Sequence, residues 1–160
     1  MVAVLAHALA VIRRDVFGGE VDPNFVATAA LFHDASEIFT GDLPSPIKYF
    51  DHEIMNSYKR VEAIASQKLL GMLPDEMCPA YAPLLQEEAG DVHDIIKAAD
   101  KLSAYIKCVE EIKAGNDEFL SAKEQIGQTL ATSELPEVAY FMKVFMPSFS
   151  LSLDDISLSD

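Results

Sequence analysis

Residues 91–114 read DVHDIIKAADKLSAYIKCVEEIKA. Ile95, Ile96, Ala99, Leu102 and Ile106 recur there at helical spacing, so the stretch predicts a long core helix with one apolar face, stopped by Gly115. Outward from this run the same periodicity appears nearly everywhere, while alternating period-two runs bounded by turn residues are absent. The sequence therefore predicts an all-α helical bundle. With 160 residues, 50% of them apolar, it is long enough to bury a core and short enough for a single domain over residues 1–160.

The helix ends are punctuated. A first helix runs to about Val16 and is ended by Gly18 and Gly19. A second has Asp22 as N-cap, Pro23 in its first position and Gly41 past its end, the usual asymmetry of helix termini. Asp42-Leu43-Pro44-Ser45-Pro46 is then a stiff loop, because its two prolines remove donors and push the preceding residues toward extended conformations. Further helices are predicted from Asp51 to about Leu70, from Pro74 to Glu88 with an interruption near Pro79 or Pro83, from Asn116 to about Thr132, and from about Glu134 to Phe145. The serine-rich, acidic tail from Pro147 to Asp160 reads as irregular.

Composition excludes some functions. A formal charge of −14 disfavours binding to a nucleic-acid backbone or an anionic membrane, since both need clustered Lys and Arg. A small anionic substrate remains open if a bound metal supplies the local positive charge. Cys78 and Cys108 form no CxxC pair and are too few for a disulfide framework, which points to a reducing compartment and hence the cytoplasm. The apolar stretch Met1 to Ile12 is too short to span a bilayer and has Arg13 and Arg14 behind it, so it reads as a core helix rather than a signal.

Two places carry residues suited to chemistry. In Leu31-Phe32-His33-Asp34-Ala35-Ser36-Glu37, a regular helix would set His33 and Asp34 about 100° apart and Glu37 one turn beyond His33. An imidazole nitrogen with carboxylate oxygens suits Mn, Fe, Co, Ni or Zn better than Ca or Mg. The alternative is a solvated pair or a capping interaction. Asp100 stands among Ala98, Ala99 and Leu102, where a buried carboxylate would need compensation, either from a ligand or from a salt bridge to Lys97 or Lys101.

A His-Asp pair followed by a distant Asp on another helix resembles the HD superfamily of metal-dependent phosphohydrolases. The stretch His33 to Glu37, then Thr40-Gly41-Asp42-Leu43-Pro44 with Pro46, Lys48, Tyr49 and Phe50, is similar to bacterial 5′-deoxynucleotidases of the YfbR type. So are Ala99-Asp100, Ala104-Tyr105, Lys107-Cys108, Pro147-Ser148-Phe149 and Leu151-Ser152-Leu153-Asp154, and the resemblance covers essentially the whole chain. It implies an HD-domain helical bundle in which His33, Asp34 and Asp100 ligate a divalent transition metal such as Co or Mn. It also implies that Glu37 is the catalytic carboxylate and that Asp42 and Glu87 lie around the deoxyribose. The substrate implied is a deoxyribonucleoside 5′-monophosphate, with a deoxynucleoside and phosphate as products.

The chain departs from that pattern at its start. The resemblance places a fourth ligand, a His on the opening helix, just upstream of Met1, with an Arg and a Trp farther upstream, so the chain is expected to lack an N-terminal segment; it contains no Trp. His7 would follow that ligand by about nine positions, which at about 100° per residue faces it the opposite way, and it reads as a packing or surface residue. His52 and His93, in apparently exposed acidic contexts, receive no role. Two other readings stand beside the nucleotidase: a catalytically silent HD-fold module that binds a nucleotide or partner, and an HD phosphodiesterase. Apolar helix faces beyond the needs of one bundle suggest a homodimer.

Overall fold

The structure is a computed structural model that describes residues 1–44, 47, 50–86, 90–152 and 155. Every regular element among these residues is helical, as the periodicity predicts. In chain order they are α1 (Val2–Asp15), α2 (Pro23–Ala30), α3 (Glu37–Thr40), α4 (His52–Leu70), α5 (Cys78–Leu85), α6 (Asp91–Lys113), a 3₁₀ turn (Asp117–Phe119), α7 (Leu120–Ala131), α8 (Pro136–Val144) and a second 3₁₀ turn (Met146–Ser150). The chain divides into two compact units, Met1–Ala27 with Asp91–Asp160, and Thr28–Gly90, and the division falls within α2.

The larger unit is built on α1, α6, α7 and α8. α1 buries Leu5, Ala6, Leu9, Ala10 and Ile12, and packs on α6, which buries Ile95, Ile96, Ala99, Leu102, Ile106 and Cys108. α7 adds Leu130, and α8 adds Val138 and Phe141. Removing such side chains from water is the main favourable term, about 1.5–3 kcal/mol for each large residue. Beyond α8 the chain continues as the 3₁₀ turn, a correction to the irregular tail, because Phe149 packs on Phe141 with ring centroids 6.4 Å apart and keeps this segment on the core.

One charge lies inside this unit. Glu137, in the first turn of α8, is fully buried, and Arg13, in the last turn of α1, donates from Nε to its Oε1 at 2.8 Å. The same guanidinium reaches Asp91 Oδ1, at the start of α6, at 2.9 Å. One planar fork thus joins the ends of three helices, which a point-charge lysine could not do with the same geometry. Gly19 completes the arrangement: a Cβ there would lie 2.7 Å from Arg13 Cγ.

The smaller unit contains α3, α4 and α5. α4 begins where the sequence places it, with Asp51 Oδ1 accepting from the Ile54 amide at 2.7 Å, and it ends at Gly71. α5 begins at Cys78, later than the expected Pro74, because residues 74–77 form a turn and Pro79 then sits at the helix start. α6 and α8 run as predicted, whereas the segment after Asn116 opens with a 3₁₀ turn whose start the Asn116 side chain caps. No helix among the described residues is long and apolar enough to cross a membrane.

The Arg13–Glu137 pair generates a stability prediction. Arg13→Met leaves a buried carboxylate without its partner and should destabilise the fold by about 3–5 kcal/mol, read from urea denaturation. The double change Arg13→Met, Glu137→Met should recover most of that loss. A single-variant loss below about 1 kcal/mol, the range of an exposed pair, would refute the clamp.

Candidate functional site

The second helix does not run to Gly41. It stops at Ala30, residues 31–36 form turns, and α3 starts anew at Glu37. One carbonyl at the break has a side-chain partner. In a continuous α-helix the oxygen of Ala30 would accept from the amide of Asp34. Here His33 Nδ1 takes that oxygen at 2.8 Å, and the neighbouring amides turn to shorter bonds, Phe32 N to Ala29 O at 2.9 Å and Glu37 N to Asp34 O at 3.0 Å. The ring thus meets the backbone where bonding to the fourth residue back gives way to bonding to the third, a change that starts with Leu31 N to Thr28 O at 3.1 Å.

This contact also orients the imidazole. A carbonyl has no proton to give, so Nδ1 carries a hydrogen, and Nε2 is the ring nitrogen that faces Asp34. Nε2 lies 2.9 Å from Asp34 Oδ2, with the His33 side chain 19% exposed and that of Asp34 59% exposed. A lone pair and a carboxylate oxygen at this distance repel unless a proton or a metal cation lies between them. The donor set, one imidazole nitrogen held from behind by a carbonyl and one carboxylate oxygen, fits a divalent transition metal. Phe32 fixes the turn from the other side, its ring edge-on to Tyr81 of α5 with centroids 5.7 Å apart.

The remaining site residues fall as follows. Glu37 is half-buried in the first turn of α3, and among the described residues no three His, Cys, Asp or Glu side chains gather closely enough to hold a metal. The break at Ala30 removes the regular helical spacing expected to align Glu37 with His33 and Asp34, whose side chains meet at 2.9 Å. Asp42 is exposed and follows Gly41, whose φ of 69° and ψ of 165° belong to a region open chiefly to glycine.

Asp100 lies in the other unit, on α6, and is exposed rather than surrounded by core. It shares the outer face of α6 with Lys97, Lys101 and Ala104, because the buried stripe passes through Ala99 and Leu102, so no burial penalty calls for compensation. Glu87 lies outside the described residues, as do Pro46, Lys48, Tyr49, Leu153 and Asp154. His7 is exposed on α1, in keeping with a surface residue; His52 is also exposed, but His93 is half-buried, contrary to expectation.

Sequence reasoning missed Tyr58. Its hydroxyl, from α4, donates to the Gly41 carbonyl at 2.8 Å and lies 3.3 Å from Thr40 Oγ1, which itself donates to that carbonyl at 3.0 Å. Nothing in the local sequence separates Tyr58 from an ordinary aromatic residue of an amphipathic helix. Tyr81 was missed for the same reason.

The turn at Gly41 carries its own prediction. A Cβ there would meet nothing within 4 Å, so Gly41→Ala acts through backbone conformation alone. It should destabilise the fold by about 1–3 kcal/mol in chemical denaturation, and an unchanged midpoint would show that the turn adopts another conformation in solution.

The family described as 5′-deoxynucleotidase YfbR-like matches residues 1–149. The 5′-deoxynucleotidase of Cronobacter sakazakii (strain ATCC BAA-894) is 52% identical over 158 residues, covering 98% of this chain and 79% of the relative. That of Erwinia tasmaniensis is also 52% identical, with 98% and 80% covered. The 5′-deoxynucleotidase YfbR of Escherichia coli O1:K1 / APEC is 51% identical, with 98% and 79% covered. With a family match over nearly its whole length and relatives that share half of its residues, the chain belongs to the YfbR-like 5′-deoxynucleotidase family.

Proposed function

We propose that this chain is a divalent-metal-dependent phosphomonoesterase that hydrolyses deoxyribonucleoside 5′-monophosphates to a deoxynucleoside and phosphate. Membership of the family supports the reaction. Within the chain, the observation that carries it is His33, with Nδ1 committed to the Ala30 carbonyl and Nε2 beside Asp34. Freezing the tautomer this way is how ligating histidines are commonly prepared. His33 and Asp34 would hold the ion, joined by Asp100 from α6. When bound, such an ion supplies positive charge to the phosphate and acidity to water at neutral pH.

The other residues act on protons and on the sugar. Glu37 takes a proton from the attacking water or delivers one to the departing 5′ oxygen of the deoxynucleoside, the two roles open to a carboxylate beside a phosphoester. Asp42 accepts a hydrogen bond from the deoxyribose, with Glu87 as a second carboxylate toward the nucleoside. Asp42 follows a turn that hydroxyls from two elements already hold. We place the enzyme in the cytoplasm, where its two free thiols, Cys78 and Cys108, suit a reducing environment, and propose that it works as a homodimer, with exposed apolar residues such as Val4 and Phe145 available for the contact.

The test is phosphate release from 5′-dAMP with Mn²⁺ or Co²⁺, against a chelator control. Turnover should require the metal and fall by about 10²–10⁴-fold in Glu37→Gln, the range for loss of a general acid–base. Asp34→Asn should shift the metal dependence to higher concentration. Metal-dependent cleavage confined to diesters would make the chain a phosphodiesterase, and nucleotide binding with no turnover at any metal concentration would make it a silent module.

A further inference from the structure

We infer that Tyr58 is a positioning residue that sets the chain's preference for deoxyribose by fixing the peptide plane from which Asp42 projects. The inference rests on the sugar-contacting role proposed for Asp42. The Gly41 carbonyl oxygen belongs to the same rigid planar unit as the nitrogen and Cα of Asp42, so whatever holds that oxygen holds the root of the Asp42 side chain. Gly41 itself supplies no restraint, because glycine moves between wells that other residues cannot enter.

The restraint comes from two hydroxyls. Tyr58 Oη donates to the Gly41 carbonyl at 2.8 Å and Thr40 Oγ1 donates to it at 3.0 Å, while the two hydroxyl oxygens stand 3.3 Å apart. Three oxygens thus form a triangle closed by two protons. Thr40 is the residue before Gly41 and moves with the turn; Tyr58 is on α4, a 19-residue helix capped by Asp51, and is the anchor that ties the turn to a separate element. A carboxylate that must tell a sugar with a 2′-hydrogen from one with a 2′-hydroxyl has to be placed to a fraction of an ångström, and remote anchoring supplies that placement.

The test compares the unmodified chain with Tyr58→Phe, which deletes only the hydroxyl, on 5′-dAMP and 5′-AMP with saturating Co²⁺. Loss of one hydrogen bond predicts a rise in KM for 5′-dAMP of about three- to tenfold and a similar fall in the preference for 5′-dAMP over 5′-AMP. Turnover at saturation should stay within about twofold, because Tyr58 acts on placement and not on proton transfer. In an Asp42→Asn background Tyr58→Phe should have no further effect on selectivity, since the residue through which it acts is gone.

Effects that multiply with those of Asp42→Asn, or unchanged KM and selectivity in a folded Tyr58→Phe chain, would overturn the inference and leave the nucleotidase reading standing. Absence of metal-dependent turnover in the unmodified chain would overturn that reading and this inference with it. If Tyr58→Phe fails to fold, as judged by thermal melting, Thr40→Val removes the other hydroxyl from the same carbonyl and is expected to shift KM and selectivity in the same direction. No shift in that variant would overturn the inference.

Discussion

A carboxylate removed entirely from water has to be neutralised where it stands, and in the larger unit Arg13 does this for Glu137. The guanidinium must reach the start of α8 from the end of α1, so the apolar faces of those helices are brought into register by a polar requirement. Its second arm, on Asp91, marks where α6 begins. Asp91 is 70% exposed, so that contact contributes orientation more than energy. α6 is the helix that carries Asp100, and the clamp at its first residue therefore also sets the origin of one proposed ligand.

In the smaller unit the decisive atom is an acceptor, the Ala30 carbonyl. The His33 ring donates to it from three residues farther along the chain. Helical regularity is lost over residues 31–36, and in that stretch the imidazole faces a backbone carbonyl with one nitrogen and the Asp34 carboxylate with the other. These residues forgo helical hydrogen bonding at a place where the proposed chemistry needs a fixed ligand. Departure from local rules at such a place is what a functional site produces. Gly41 repeats the pattern: a backbone conformation that favours glycine is retained at the position before Asp42.

Much of the fold was legible because helix ends have chemical signatures. α4 starts after Asp51 and Gly115 follows α6, as the sequence indicates, and α8 opens at Pro136, two residues past the expected Glu134. The break after Ala30 was not legible. Residues 29–40 contain neither proline nor glycine and keep a helical apolar pattern, and a histidine bonding three residues back leaves no mark in composition or periodicity. Asp100 was misjudged for a different reason. Its neighbours in sequence are apolar, yet one residue along a helix is about 100° of rotation, enough to pass from the buried stripe to the outer face. His33 and Asp34 were found from residue type, and the family from motifs spread along the whole chain. The Tyr58 hydrogen bond is legible only in three dimensions, since its partner is a backbone carbonyl outside its own helix.

The His33–Asp34 corner is the proposed seat for a divalent ion, and cobalt reports on such a seat directly through its visible absorption. Titrating the chelator-treated chain with Co²⁺ should produce a saturable d–d band in the unmodified protein, weakened in Asp34→Asn and lost in His33→Gln while both variants retain their helical circular dichroism. A band of equal strength and midpoint in folded His33→Gln would contradict the account, because the ion would then be held elsewhere and the tautomer set by Ala30 would have no part in binding it.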